Sequence, residues 1–173
     1  MDYYESVVID YLRADRALFV NTECCIQINP GHNPDGSGPH WYCDAVVADF
    51  RTQSVFLCEI SYSEELTGLI KRIKSWCDNW DGVRAALARE SRLPKEWLLG
   101  LEPWLFVPQR CVPTLLKGLS KIGTAPPNFS PRITYLEKVQ PWLYCSWDRV
   151  GETGCCDRHK LALSRAFPEA VAK

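Results

Sequence analysis

Residues 43–61 read CDAVVADFRTQSVFLCEIS, and this stretch predicts one long β-hairpin. Val, Ile and Phe dominate VVADF and SVFLCEI, and the short polar stretch RTQS separates them, so we expect two buried strands joined by a tight turn. Asp44 stands near the start of the first strand and Glu59 near the end of the second. Because antiparallel neighbours place these positions side by side, the sequence predicts that Asp44 and Glu59 meet.

The two acids stand in segments from which charge is usually excluded. An ionised carboxylate that leaves water costs several kcal/mol unless a cation, hydrogen-bond donors or a metal compensates it. One explanation is a metal site shared by both acids. The other is that backbone N–H groups of the Pro/Gly-rich loop over residues 29–40 satisfy Asp44, while Glu59 pairs with an arginine such as Arg13. Asp49 is a competing acid, but its parity places it on the opposite face of the strand from Asp44.

Length and composition predict a single domain over residues 1–173. The chain has 173 residues, of which 46% are hydrophobic, and this is enough for one substantial core. The first residues lack the basic start and apolar core of a signal peptide, and no apolar run approaches the roughly 20 residues of a membrane span. We expect a cytoplasmic protein with no membrane contact, whose nine cysteines are reduced.

The formal net charge of −1 gives no general attraction to nucleic acid. Any basic face must therefore be local. Three groups of basic residues are candidates, although an ordinary solvated surface is the simpler interpretation of each. They are KRIK at residues 71–74, the trio Arg84, Arg89 and Arg92, and DRHK at residues 157–160.

The order of elements predicts an α/β fold with a central mixed β-sheet flanked by helices. The predicted elements are a helix over 2–16 that carries Glu5, a strand over 18–28, the loop over 29–40, the hairpin over 41–61, a helix over 63–91 that Asp81-Gly82 is expected to interrupt and Leu93-Pro94 to close, a strand over 104–108, a helix over 112–122, a strand pair formed by RITYLEKV and PWLYCSW, and a helical tail over 157–173.

This order, with an acid on the first helix, on the second strand and on the third strand, resembles the PD-(D/E)XK nuclease superfamily, which has the restriction-endonuclease-like fold. The resemblance covers roughly residues 2–107 and leaves residues 108–173 as a C-terminal extension. In that family a glutamate on the first helix and an Asp…Glu-X-Lys pair build a magnesium site. Glu5, Asp44 and Glu59 stand at these positions here. The sequence departs from the pattern at Ser61, where the family has lysine.

The resemblance implies a Mg²⁺ (or Mn²⁺) site whose ligands are Asp44, Glu59 and the backbone carbonyl of Ile60. Glu5 would orient a metal-bound water, and Ser61 would stand in the lysine position without bringing a charge. We do not expect Lys71 or Lys74 to replace the missing lysine, because a helix that starts near Ser63 runs away from Glu59.

The implied function is metal-dependent hydrolysis of phosphodiester bonds, with DNA rather than RNA as the substrate. Many nucleases of this fold are dimers, so the resemblance also implies a homodimer. The alternative is a nuclease-fold protein that has lost catalysis and serves as a binding or assembly module for a protein partner. The missing lysine and the near-neutral charge favour the module, whereas retention of two costly acids favours the enzyme.

Two cysteine-based sites are weaker alternatives. Cys155, Cys156 and His159 have a spacing loosely compatible with zinc, although structural zinc sites usually show two well-separated pairs of ligands. Cys43 with His40 would be a nucleophile and its base, but nothing in the sequence marks a third group that orients them.

Overall fold

A computed structural model describes residues 3–27, 40–91, 93–123, 126 and 129–140, without the side chains of Glu23, His40 and Trp41. The elements, in chain order, are α1 (Tyr3–Arg13), β1 (Leu18–Gln27), β2 (His40–Asp49), β3 (Ser54–Ile60), α2 (Thr67–Asp78), α3 (Trp80–Glu90), α4 (Lys95–Leu98), β4 (Glu102–Val107), α5 (Val112–Leu119) and β5 (Arg132–Tyr135), with short 3-10 helices over Gln109–Cys111 and Leu136–Lys138.

These strands form one five-stranded sheet in the order β1-β2-β3-β4-β5. The pairs β1–β2 and β2–β3 are antiparallel, and only residues 50–53 separate β2 from β3. The pairs β3–β4 and β4–β5 are parallel, and helices make the crossovers between them. The predicted α/β architecture, a central mixed sheet flanked by helices, is thus confirmed.

Both faces of the sheet are covered, and for this reason β3 has an almost continuous apolar sequence. On one face Val55 and Leu57 join the larger apolar cluster, in which α2 contributes the fully buried Trp76. On the other face Phe56 and Cys58 join a second cluster that contains side chains of α1. Glu59 follows in the same alternation, so its side chain belongs to the α2 face of the sheet.

The long amphipathic segment after the hairpin is two helices rather than one. The predicted interruption at Asp81-Gly82 is wrong, because the break lies at Asn79. The Asn79 N–H donates to the Trp76 carbonyl, and the Asn79 carbonyl accepts from Val83, so this residue ends α2 and begins α3. Asp81 then lies in the first turn of α3, where the helix dipole favours an acid.

The start of α2 also differs from the prediction. The helix begins at Thr67 and not near Ser63, because Leu66 adopts a left-handed backbone conformation with φ 53° and buries its side chain almost completely. The short helix α4 was not predicted. Its N-terminal cap is Pro94, the residue expected to close the preceding helix.

RITYLEKV forms a strand only over Arg132–Tyr135 and continues as a 3-10 helix. This strand pairs in parallel with β4. Its predicted partner PWLYCSW lies outside the described residues. A buried hydrogen bond of 2.9 Å from Trp104 Nε1 to Thr134 Oγ1 joins the two strands. The predicted C-terminal extension therefore contributes a strand to the main sheet.

Two further predictions fall on parts of the chain that the structure does not describe. They are the loop over residues 29–40, apart from His40 at the start of β2, and the helical tail over residues 157–173. Within the described residues, the helices are all too short or too polar to cross a membrane.

Candidate functional site

The hairpin brings Asp44 and Glu59 together, as the sequence predicts. In the register of β2 and β3, Ala45 is the partner of Cys58, so the next positions along the two strands are Asp44 and Glu59. The contact that anchors Asp44 comes from the neighbouring residue, because the Ile60 N–H donates to Asp44 Oδ2 at 2.6 Å. A donor on β3 thus meets Asp44. The loop before β2, from which the alternative interpretation expected donors, lies outside the described residues.

Glu59 forms an ion pair with an arginine of α2. Arg72 Nη1 donates to Glu59 Oε2 at 2.5 Å, and the glutamate side chain is only 3% exposed. The suggested partner Arg13 is not the one that the structure shows, since it lies exposed in the last turn of α1. A single buried acid therefore receives its compensating charge from the helix that covers the same face of the sheet.

One oxygen of Glu59 stays without compensation. Glu59 Oε1 is buried and has no hydrogen-bond partner among the described residues. Burial, followed by the negative charge of Asp44, raises the pKa of Glu59 to about 8, even though the Arg72 guanidinium acts in the opposite direction. Desolvation outweighs the ion pair because Arg72 contacts only one of the two oxygens. The carboxyl group is therefore largely protonated at neutral pH.

Glu5 lies in the first turn of α1 and is half-buried. Its negative charge also raises the pKa of Glu59, with the smallest effect among the named causes. Ser61 follows β3 and is fixed by its backbone N–H, which donates to the Phe106 carbonyl at 2.9 Å. Ile60 and Ser61 thus follow Glu59 directly at the end of β3, and Glu5 acts on Glu59 from α1 through its charge.

Arg72 is not among the residues that the sequence predicts for this site, because the family pattern drew attention to lysines alone. Lys71 is exposed, and Lys74 binds Asp78 at 2.5 Å on the helix surface. The start of α2 at Thr67 places Arg72 about 7.5 Å along the helix, which is close enough for a long side chain to reach β3. The sequence does contain a signal for Arg72. It lies three residues after the buried Leu69 and four before the buried Trp76, and these spacings place it on the buried face of the helix.

Asp49 has a structural role. It accepts hydrogen bonds from Arg51 Nε at 3.1 Å and from the Arg51 backbone N–H at 2.9 Å, while Arg51 also reaches Asp15 at 2.7 Å. Burial alone would raise the pKa of Asp49, but the bonds and charge of Arg51 lower it below its ordinary value. This network closes the turn of the hairpin, at the end opposite Asp44 and Glu59.

Three exposed tyrosines form a group beside Glu5 and Ser61 in the chain. Tyr4, next to Glu5, stacks on Tyr62, next to Ser61, with ring centroids 4.7 Å apart and an angle of 25° between the planes. Tyr3 packs edge-on against Tyr4 at 5.5 Å. The three rings are 75%, 42% and 49% exposed for Tyr3, Tyr4 and Tyr62, so an aromatic surface bridges α1 and the segment after β3. Local sequence patterns do not predict this contact between distant rings.

Local acids neutralise most of the candidate basic residues that the structure describes. Arg84 binds Asp81 at 2.5 Å, and Arg89 binds Glu90 at 2.6 Å. Arg92 and residues 157–160 lie outside the described part of the chain. Within that part, Arg72 is the basic residue that the fold directs toward the acid pair.

The carboxylates of Asp44 and Glu59 could supply part of the coordination shell of Mg²⁺ or Mn²⁺. Across the described residues, no group of three or more His, Cys, Asp or Glu side chains is arranged to hold a metal ion. Asp44 and Glu59 nevertheless offer two hard oxygen donors, and the unpartnered Glu59 Oε1 is an atom that a cation would satisfy. Mg²⁺ commonly binds through one or two carboxylates and keeps several waters, so a pair of acids fits it.

The structure bears on one of the two cysteine-based alternatives, the Cys43 nucleophile, and not on the zinc site. Cys155, Cys156 and His159 lie outside the described residues. Cys43 is almost fully buried, and its hydrogen bond to Cys24 together with burial raises the pKa of its thiol well above the ordinary value. A buried neutral thiol is a poor nucleophile, so the structure argues against Cys43 in that role.

Comparison of the chain with protein-family models finds no match, and searches among curated proteins and among solved structures find no protein similar to it.

Proposed function

We propose that this protein is a metal-dependent nuclease-like hydrolase of DNA phosphodiester bonds, similar in design to the PD-(D/E)XK superfamily. The observation that carries the proposal is the paired placement of Asp44 and Glu59, with one buried glutamate oxygen that has no partner among the described residues. Such an oxygen costs about 1–3 kcal/mol or more if it stays unsatisfied. A bound cation removes that cost and gives a reason for the acids to be there.

Asp44 and Glu59, with the backbone carbonyl of Ile60, would hold Mg²⁺ or Mn²⁺. When bound, the ion would neutralise charge on the phosphate and lower the pKa of a water molecule. Glu5 lies near enough to influence Glu59 electrostatically, and its role is to orient a water through a hydrogen bond. Ser61 holds the position of the family lysine and brings a hydroxyl without charge.

Arg72 supplies the positive charge that Ser61 lacks. Its guanidinium has five N–H donors, and the bond to Glu59 Oε2 uses one of them. The side chain is 41% exposed, so part of the group faces solvent, where a phosphate can approach. Arginine recognises phosphate oxygens through two parallel hydrogen bonds, and it stays charged at any pH at which the protein is folded.

The tyrosine surface is placed to receive a nucleobase next to the scissile phosphate. Aromatic side chains bind bases of single strands through stacking, which tolerates any sequence and does not depend on a basic excess. The faces of Tyr3, Tyr4 and Tyr62 are partly open, and two of these residues directly adjoin Glu5 and Ser61. This arrangement supports a substrate with an unpaired or frayed strand at the site.

Calorimetric titration of the metal-free protein with Mn²⁺, combined with a nuclease assay on plasmid and oligonucleotide DNA, tests the proposal. We expect the wild type to bind the ion and cleave DNA, and Asp44→Asn and Glu59→Gln to lose both activities. Glu96→Gln, a change of an exposed acid on α4, whose Trp97 packs on Phe50 in the turn of the hairpin, is the matched control. Absence of metal binding by the wild type would establish the acids as structural.

A second candidate function is a binding or assembly module that has no catalysis. The observation that favours it is the ion pair itself, since Arg72 compensates the 3% exposed Glu59 without any metal. A module of this kind would bind a protein partner or DNA without cleaving it. Retention of labelled DNA by the wild type in Mn²⁺, with no cleavage and no metal-binding heat, would favour the module over the hydrolase. A homodimer, the assembly implied by the family resemblance, is checked by sedimentation of the full chain.

A further inference from the structure

Two cysteines face each other across the first strand pair of the sheet. Cys24 on β1 is the register partner of Cys43 on β2, and the neighbouring pairs Thr22 with Ala45 and Cys25 with Tyr42 keep the same register. Directly opposite residues of antiparallel strands have Cα atoms roughly 4.5–5.5 Å apart. This separation lies within the range of about 4.4–6.8 Å that a disulfide spans. A bond between the two sulfurs therefore requires no rearrangement of the strands.

The two thiols differ in their access to solvent. Cys24 is half-buried and lines a cleft of about 490 Å³ between β1 and the end of α3, together with Phe19, Leu87 and Leu93. Cys43 is 1% exposed and lies in the apolar cluster beneath it. A small molecule in the cleft can thus reach Cys24 and cannot reach Cys43.

Hydrogen bonding also separates the two thiols. A hydrogen bond from the Cys43 thiol lowers the pKa of Cys24 to about 7, with burial acting against it and the Val46 backbone N–H assisting it. The Cys24 sulfur also lies 3.4 Å from the Asn21 carbonyl, a contact that favours the protonated thiol. The Thr22 carbonyl, 3.9 Å from the sulfur, is a second acceptor of this kind. Because the pKa still lies at about 7, a substantial fraction of Cys24 is the thiolate near neutral pH.

From this juxtaposition of one accessible and one buried thiol, we propose that Cys24 is a site of oxidation by small hydroperoxides and that Cys43 is its resolving cysteine. The Cys24 thiolate attacks one peroxide oxygen, the O–O bond breaks, and hydroxide or alkoxide leaves. The sulfur has lost two electrons to the peroxide and is now a sulfenic acid. Cys43 is a poor nucleophile toward an external substrate, but the strand register holds its sulfur opposite Cys24. Its sulfur attacks the Cys24 sulfur, its proton passes to the departing hydroxyl group, water leaves, and the S–S bond forms.

Other cysteines in the described part of the chain lack this combination. Cys25 is also half-buried and lines the same cleft, but its register partner is Tyr42, so no thiol stands opposite it. Cys58, Cys77 and Cys111 are buried. The proposal does not depend on the proposed hydrolase, since it uses neither a metal nor DNA.

Limited treatment of the full-length protein with hydrogen peroxide, followed by thiol blocking and peptide mapping by mass spectrometry, tests the proposal. We expect a linked peptide pair that contains Cys24 and Cys43, lighter by two hydrogens than the reduced pair. In Cys43→Ser, a sulfenic-acid probe such as dimedone should label Cys24 instead. In Cys24→Ser both products should disappear, whereas Cys25→Ser, the matched control in the same cleft, should keep the link.

Peptide mapping of the wild type needs no variant to fold, so it decides the proposal by itself. Oxidation of Cys24 no faster than that of Cys25 would overturn its role as the reactive thiol. A disulfide from Cys24 to any cysteine other than Cys43 would overturn the role of Cys43 as the resolving residue.

Discussion

Arg72 on α2 donates to Glu59 at the end of β3 over 2.5 Å, and it leaves the second oxygen of that buried carboxyl group without a partner among the described residues. This half-satisfied ion pair beside Asp44 is the feature from which the chemistry of the site follows. It joins a raised pKa and an accessible guanidinium at the place where we propose that a cation binds.

The free energy of unfolding should change with pH because Glu59 titrates differently in the folded and unfolded states. Its pKa is about 8 in the folded protein against 4.5 for the ordinary group. The folded state therefore holds a proton that the unfolded state has lost, and the stabilisation from this proton is present below about pH 4.5 and disappears as pH rises through about 8. Across that window we expect a loss of roughly 1 kcal/mol per pH unit from this group. Urea unfolding of the wild type and of Glu59→Gln measures it, and equal slopes in both would contradict it.

Metal binding at pH 7 should release close to one proton, because the cation displaces the proton that Glu59 holds. Titration with Mn²⁺ in two buffers of different ionisation enthalpy measures this release from the difference in heat. Glu59→Gln has no such proton, so any residual heat in this variant should be the same in both buffers. Buffer-independent heat in the wild type would show that the ion binds elsewhere.

Arg72→Gln should destabilise the protein more at pH 8 than at pH 5. At pH 5 Glu59 is protonated and needs no counter-charge. At pH 8 much of it is ionised in the wild type, where Arg72 stabilises the charge, and the variant lacks this stabilisation. Arg72 is 41% exposed, so solvent screening limits the cost to about 1–2 kcal/mol. Urea unfolding at the two pH values measures the difference.

Lys74→Gln is the control for Arg72→Gln on the same helix. The Lys74 pair with Asp78 is about half exposed on both sides, so its loss should change the free energy of unfolding by about 0.5 kcal/mol or less at either pH. In the nuclease assay Arg72→Gln should lower the rate, and Lys74→Gln should leave it unchanged. A rate that is insensitive to Arg72 would remove this residue from the proposed site.

Thr134→Val should destabilise the fold by about 1–3 kcal/mol, because it leaves the buried Trp104 indole N–H without its acceptor on β5. Thr114→Val, on the exposed side of α5, is the matched change and should be nearly neutral. Chemical unfolding followed by tryptophan fluorescence provides the measurement. Equal effects of the two changes would argue that β5 adds little to the stability of the sheet.

Tyr62→Leu should weaken binding of a single-stranded oligonucleotide about 5- to 100-fold, in line with roughly 1–3 kcal/mol for one base stacked on an aromatic ring. Phe19→Leu provides the comparison, since Phe19 is 65% exposed and lies on β1 at the end far from the acid pair. Fluorescence anisotropy of a labelled oligonucleotide, in Ca²⁺ to suppress cleavage, gives the affinities. The same loss from both changes would indicate nonspecific apolar binding.

Local patterns account for the parts of the fold that could be predicted. The alternation of Val55, Phe56 and Leu57 between two apolar clusters explains why SVFLCEI is recognisable as a strand buried on both faces. The polar turn RTQS joins the two strands of the hairpin and so determines which residues stand opposite each other. The placement of Asp44 beside Glu59 follows from these two features alone.

Helix boundaries after the hairpin could not be predicted to the residue. Asn79 is an ordinary helix residue by periodicity, and the break there is visible only in its backbone conformation. The left-handed conformation of Leu66 is equally unexpected for a residue with a branched side chain, and burial of that side chain accompanies it. A small error in the predicted position of either boundary changes the predicted direction and height of every side chain of α2, including Arg72.

The sequence by itself determined the mixed α/β architecture and the hairpin that pairs Asp44 with Glu59, because strand alternation and turn composition are properties of neighbouring residues. Only the tertiary structure decided that Arg72 binds Glu59, that Tyr4 stacks on Tyr62, and that Cys24 opens into a cleft above Cys43. Each of these depends on how a helix or strand packs against elements distant in the chain. Packing of that kind sums many weak contacts over the whole core, and no local pattern encodes it.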